Sequence, residues 1–240
     1  MSIETRTVEY GDGDEVFEGL LAWDDKARSA RPGVLVAHTI RGRSDFENGK
    51  ARDLAELGYV ALALDVYGRD HIGSDLEVCR ALMDALKADR PLLQRRLGSA
   101  LSTLREQPEV DSSRLAVIGF CFGGLCALDI ARTGEDVAGV VSFHGLFDAP
   151  GNTTGNKIKA KILALHGWDD PLASPEKVLE LATELSDMEA DWQLHGYGNI
   201  RHAFTNPSAD ASSGVTIYNA DADRRSWLAM HNFLTELFQT

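Results

Sequence analysis

At 240 residues the chain has room for one large α/β domain or two small ones. Its 44% hydrophobic residues suffice for a full core, and 25% charged residues suit an ordinary soluble surface. A formal net charge of −13 opposes nucleic acid and anionic membrane faces as partners, because so acidic a surface repels phosphates at long range. The opening Met1-Ser2-Ile3-Glu4-Thr5 has neither the basic nor the apolar stretch of a signal peptide. No apolar run approaches the ~20 residues of a membrane helix. Three cysteines, Cys79, Cys121 and Cys126, lack CxxC spacing and read as reduced thiols of a cytoplasmic protein.

Along the chain, Thr5–Tyr10 and Val16–Trp23 form a sheet-like opening. Gly33–His38 follows as a short, continuously apolar run, the pattern of a strand buried on both faces. Asp45–Leu57 carries helical periodicity that stops at Gly58, and Tyr59–Val66 repeats the buried strand. Ser74–Gln107 is long, charged and helix-prone, with Pro91 as a start or a break. Arg114–Phe120 is another strand, and Cys121–Thr133 an apolar helix of small residues. Strands over Val137–Phe143, Lys159–His166 and Asp191–Tyr197 follow, with Pro175–Ser186 between the last two and an amphipathic helix closing the chain at Asp223–Phe238. Strands alternating with helices predict an α/β fold, a mostly parallel central sheet with helices on both faces. Without repeat, low-complexity tract or linker, residues 1–240 read as a single domain.

The most informative run is Gly119-Phe120-Cys121-Phe122-Gly123-Gly124, where a strand must turn sharply into a helix. This is the G-x-S-x-G nucleophile elbow with cysteine in the serine position. Small neighbours let strand and helix approach, and the side chain then projects at a helix N-terminus. Unpaired N–H groups and the helix dipole favour negative charge there, which lowers a thiol toward its reactive thiolate. The Phe122 N–H is placed to meet a developing oxyanion. Competing readings are an inert buried thiol, the class to which Cys79 and Cys126 are assigned, and an elbow without chemistry.

An elbow of this kind needs an acid and then a histidine further along the chain. His166-Gly167-Trp168-Asp169-Asp170-Pro171 follows one strand, and Gly198-Asn199-Ile200-Arg201-His202-Ala203-Phe204 follows the next. Catalytic groups of open parallel sheets collect at the carboxyl ends of strands. Asp170, stiffened by Pro171, is the preferred acid, with Asp169 as the alternative, and His202 is the base. His38 and His166 also end strands and could line a cleft. No histidine shows metal-ligand spacing, so neither metal nor cofactor is expected.

These landmarks give the chain a family likeness. With the strand and following turn over Ala61–Gly68, they resemble the dienelactone hydrolase family of α/β-hydrolases across nearly the whole length. The resemblance implies Cys121 as nucleophile, Asp170 as acid and His202 as base, with the backbone N–H groups of Ile40 and Phe122 as the oxyanion hole. It also locates a substrate pocket around His38, Thr39, Arg41 and Asn206. Family members acting on dienelactone carry a Glu where this chain has Thr39 and an Arg at the position of Asn206. Losing the Arg removes a carboxylate clamp and favours a neutral ester. Arg41, Arg43 and Arg201 are candidates to replace it in part.

The expected function is cofactor-independent hydrolysis of small carboxylic esters or lactones through a thioester acyl-enzyme. Activated aryl esters and neutral phosphotriesters are further electrophiles within reach of the same thiol. The expected partner is a small-molecule substrate, with no nucleic acid or membrane, and the protein itself is a monomer or homodimer. The rival from another class is a ligand-binding or thiol redox-sensing protein on the same fold.

Overall fold

A computed structural model describes residues 2–26 and 29–238. Its contacts divide the chain into two compact units, residues 1–117 and 118–240. The first opens on a hairpin of β1 (Ile3–Asp12) and β2 (Glu15–Asp24), antiparallel with Asp12 opposite Glu15. The two-residue loop between them holds Gly13 at φ +63, a left-handed conformation open to glycine without steric cost. β3 (Arg31–Ala37) and β4 (Val60–Ala63) are parallel and almost wholly buried, which accounts for their unbroken apolar character. β4 is shorter than the Tyr59–Val66 expected from hydropathy. After Leu64, the Asp65 carboxylate accepts from the Tyr67 and Gly68 N–H groups and folds the chain into a turn.

Between β3 and β4 runs α1 (Asp45–Glu56), started by a capping box. The buried Glu47 carboxylate accepts from the Ser44 backbone N–H at 3.0 Å and the Ser44 hydroxyl at 2.6 Å. Its other oxygen accepts from Thr39 N–H at 2.9 Å, so one side chain fixes both the helix start and the loop leaving β3. Removing it leaves three donors without this acceptor. Glu47→Ala is therefore expected to lower unfolding free energy by about 3 kcal/mol, and Glu47→Gln by less, in urea titrations. An alanine variant as stable as wild type would show that the loop does not depend on this carboxylate.

The helix-prone stretch is two helices, α2 (Leu76–Ala88) and α3 (Arg90–Arg105). Asp89 ends one and caps the other by accepting from Leu92 N–H at 3.0 Å, while Pro91 sits in the first turn of α3. β5 (Val110–Phe120) passes from the first unit into the second. The strand order is β1-β2-β4-β3-β5 in the first unit.

In the second unit the order continues from β5 through β6 (Gly139–Phe143), β7 (Lys161–Gly167) and β8 (Trp192–Tyr197), with β6, β7 and β8 parallel. The helices are α4 (Phe122–Thr133), α5 (Pro175–Asp187) and α6 (Ala220–Phe238). Arg132, 1% exposed, reaches from α4 to Glu184 of α5 through two hydrogen bonds of 2.8 and 2.6 Å. It also donates to the Phe147 and Asp148 carbonyls beyond β6, so its buried charge is fully engaged and anchors α4. Among the described residues no helix is long and apolar enough to cross a membrane.

Candidate active site

At the end of β5 the backbone turns through Cys121, which has φ 57 and ψ −115 and precedes the first helical residue, Phe122. A positive φ at a non-glycine residue is uncommon and persists only where surrounding structure imposes it. Packing does so here. A side chain at Gly119 would collide with the Gly123 carbonyl, and one at Gly124 would come within 2.6 Å of Gly145 Cα and Ser142 Oγ. The Cys121 N–H donates to the Phe143 carbonyl at 3.0 Å and is shared with His144 Nδ1 at 3.2 Å. The elbow is thus pinned to the end of β6, with its thiol at the N-terminus of α4.

The turn after β7 carries Asp170. Its Oδ1 accepts from Leu172 N–H at 2.8 Å, and its Oδ2 accepts from His202 Nδ1–H at 2.7 Å. Asp170 is buried and Asp169 exposed, so only the second of the adjacent carboxylates is part of the cluster. The loop bearing His202 is held against this turn. Trp168 N–H donates to Tyr197 O and Asp169 N–H to Ile200 O, both at 2.9 Å. A side chain at Gly167 would meet the Ile200 and Arg201 carbonyls at 2.7 and 2.8 Å, so glycine is what permits the approach. Asn199 and Ala203 flank the histidine with positive φ.

Charge couples His202 to Cys121. Burial acts most strongly on the imidazole and lowers its pKa, but the Cys121 charge and the hydrogen bond to Asp170 overcome it and push the value up to about 10. His202 Nε2 is buried without a hydrogen bond of full geometry, while the Cys121 side chain is among the influences that raise the imidazole's pKa. Such contacts often tighten only when substrate is bound. The unfolded imidazole titrates near 6.5 and the folded one near 10, so the stabilisation is complete below 6.5 and lost as pH rises through about 10. Across that window wild type is expected to lose more thermal stability than Cys121→Ala, which lacks the charge that raises His202. Parallel melting curves would contradict the coupling.

The sequence model of the dienelactone hydrolase family matches residues 17–238. The chain belongs to this family. The solved structure m3DLH is 39% identical, covers 99% of this chain and 100% of its own, and superposes with a TM-score of 0.93. The dienelactone hydrolase-like promiscuous phosphotriesterase P91, from metagenomic libraries, is 38% identical over 99% of both chains with a TM-score of 0.91. A probable 2-oxo-3-(5-oxofuran-2-ylidene)propanoate lactonase from Bradyrhizobium sp. is 27% identical over 83% of this chain and 84% of its own. The fold is accordingly that of the α/β-hydrolases, and the protein is a member of a hydrolase family.

Several other positions singled out from the sequence lie in the first unit. The His38 ring, 1% exposed, donates from Nδ1 to Thr39 O at 2.7 Å and accepts at Nε2 from Val66 N–H at 3.3 Å. Thr39 accepts at Oγ1 from Arg41 N–H. Ile40 follows it on the loop fixed by Glu47, and its carbonyl accepts from the Tyr67 hydroxyl at 3.2 Å. Arg41 is exposed. Arg43 does not serve as a spare carboxylate clamp. Its guanidinium is buried and donates to the Glu18 carboxylate at 2.6 Å, the Glu18 carbonyl at 2.7 Å and Asn48 at 3.2 Å.

In the second unit, Arg201 donates to the Gly214 carbonyl, and Asn206 Oδ1 accepts from Ser208 N–H at 2.9 Å. Both therefore organise their own loop. Sequence reasoning passed over His144 and Thr205, which join the elbow to the His202 loop. His144 had no spacing signal, although a histidine directly after a strand in the nucleophile's half of the chain is a cue of the kind that picked out His38 and His166.

Proposed function

We propose that this protein hydrolyses small, neutral carboxylic esters or lactones, with Cys121 as nucleophile, His202 as general acid–base and Asp170 orienting the imidazole. The observation that supports it most is the buried 2.7 Å Asp170–His202 hydrogen bond beside a strained elbow whose cysteine, with Asp170, raises the histidine's pKa. In this reading the resting pair is a thiolate and an imidazolium. Sγ attacks the carbonyl carbon, and the oxygen takes up the electron pair of the C=O bond. Phe122 N–H, at the first position of α4, meets that charge, a contribution of roughly 3 kcal/mol for a typical donor of this kind. Collapse breaks the ester C–O bond, His202 Nε2–H protonates the departing alkoxide, and a thioester remains. Neutral His202 then removes a proton from water, which attacks the thioester and returns the thiolate.

Thiolate is a better leaving group than alkoxide, so the first intermediate partitions forward best when the alcohol is acidic. Aryl esters and enol lactones are the favoured substrates. Asn206 in place of a bidentate Arg, together with the net charge of −13, supports neutral over anionic ones. The need to keep the thiol unoxidised suits a reducing compartment, the cytoplasm. The likeness to a promiscuous phosphotriesterase supports a second electrophile for the same thiol, a neutral phosphotriester.

Stopped-flow measurement with p-nitrophenyl acetate tests the proposal. With EDTA present, one equivalent of nitrophenolate per chain is expected in a burst before a slower steady state. Turnover without any dependence on Cys121 would refute the assignment and move the binding or sensing alternative ahead.

A further inference from the structure

Three buried histidines, His144, His166 and His202, interact electrostatically in the second unit, and the hydrolytic cycle uses one of them. His144 is the one tied to the elbow. It directly follows β6 with φ +37, a left-handed conformation uncommon for a non-glycine residue. Its Nδ1 accepts from the Cys121 backbone N–H at 3.2 Å, and its Nε2 lies 2.8 Å from the buried Thr205 hydroxyl. A neutral imidazole that accepts at Nδ1 carries its proton on Nε2, so Nε2–H donates to Thr205 Oγ1. Thr205 stands three residues after His202 on the same loop.

The Cys121 N–H already has the Phe143 carbonyl at 3.0 Å, so strand pairing does not require the imidazole. What the ring adds is a rigid strut from the nucleophile's amide to the loop of the base. It stands edge-on to His202, ring centres 5.1 Å apart and planes at 67°, and edge-on to Phe204, also at 5.1 Å. Protonation at Nδ1 would aim a second donor at the Cys121 N–H and set a cation beside the His202 imidazolium. Burial, and then the His202 charge, hold its pKa well below the ordinary 6.5 and keep the accepting form.

We propose that His144 is a positioning residue, fixed by Thr205 as the Nε2–H tautomer, that sets the Cys121 elbow at a constant distance and angle from His202. The proposal rests on the assignment of Cys121 and His202 as nucleophile and base. Its effect falls on acylation, where thiol and imidazole must be aligned, and not on substrate affinity.

The test combines Thr205→Val, close in shape but without the acceptor, with His144→Leu and His144→Asn, whose amide oxygen can replace Nδ1 as acceptor. Thr205→Val is expected to slow the nitrophenolate burst about tenfold with KM nearly unchanged. His144→Leu should slow it about a hundredfold, the scale of an ångström of misplacement, and His144→Asn should recover part of that loss. Nitrogen-15 histidine spectra of the wild-type protein should show His144 as a neutral Nε2–H imidazole that does not titrate between about pH 5 and 9. An Nδ1–H tautomer, a titration in that range, or a wild-type burst rate in Thr205→Val would overturn the proposal. If Cys121→Ala keeps the burst, the catalytic assignment fails instead, while the tautomer measurement still reports on the strut. Should His144→Leu not fold, Thr205→Val and the spectra decide.

Discussion

Replacing Cys121 with alanine is expected to lower ester turnover by at least about a thousandfold and to remove the nitrophenolate burst entirely. Alanine deletes only the attacking sulfur. The elbow survives, because its shape comes from Gly119 and Gly124 packing against neighbouring backbone and from the Cys121 N–H, not from the thiol. Residual rate above solution then reflects binding and the oxyanion donor alone. Cys79 supplies the control. It is fully buried in the first unit, its pKa is raised chiefly by burial, and its thiol donates to the Arg41 and Ser74 carbonyls. Cys79→Ala should therefore keep turnover within about threefold, since an inert thiol behaves as a small hydrophobe. Equal losses in both variants, measured as kcat/KM at matched folded fraction, would remove Cys121 from its role.

The second large effect belongs to Asp170→Asn. The amide is nearly the same shape as the carboxylate and can still fill the buried site between Leu172 N–H and the imidazole. It no longer carries the charge that fixes the proton on Nδ1 and supports an imidazolium. A loss in kcat on the order of 10³ to 10⁴ is expected, with KM changed little, because wrong-tautomer imidazole neither accepts nor returns a proton at the reacting side. The pKa of His202 should fall at the same time, since the hydrogen bond to Asp170 is among the influences raising it. Asp169→Asn makes the comparison sharp. That side chain is exposed, and its substitution is expected to leave kcat within about threefold. If Asp169→Asn were the damaging change, the hydrogen bond seen in the structure would not be the functional one.

Much of this architecture was legible in the sequence, for reasons that are local. Gly58 stops α1, Pro91 marks the first turn of α3 within the charged helical stretch, and the unbroken apolar runs mark parallel strands buried on both faces. The elbow was legible because a strand–turn–helix with glycines at fixed offsets leaves few residue choices. The hydrogen bond between Asp170 and His202 followed from chain order plus strand ends, once both loops are known to leave the same edge of a sheet. What stayed hidden is long-range. His144 and Thr205 are 61 residues apart, and Arg132 and Glu184 are 52 apart. No periodicity links such pairs, since tertiary packing alone brings them together. The short β4 was hidden for a different reason. Leu64 and Val66 extend the apolar run as strand, but the Asp65 carboxylate between them offers the backbone a competing set of hydrogen bonds. Arg43 misled in the opposite direction, because closeness in sequence to His38 and Thr39 says nothing about a guanidinium already committed to Glu18.

The most direct test of the account is acid-quenched mass spectrometry of the protein during turnover of a slowly deacylated aryl ester. Acid traps a thioester, and peptide mapping locates it. A single acyl group on the peptide carrying Cys121, released by hydroxylamine at neutral pH and absent in Cys121→Ala, is the predicted result. Turnover with no trapped acyl group on Cys121, or an acyl group on a hydroxyl such as Ser142 or Thr205, would contradict the cysteine mechanism.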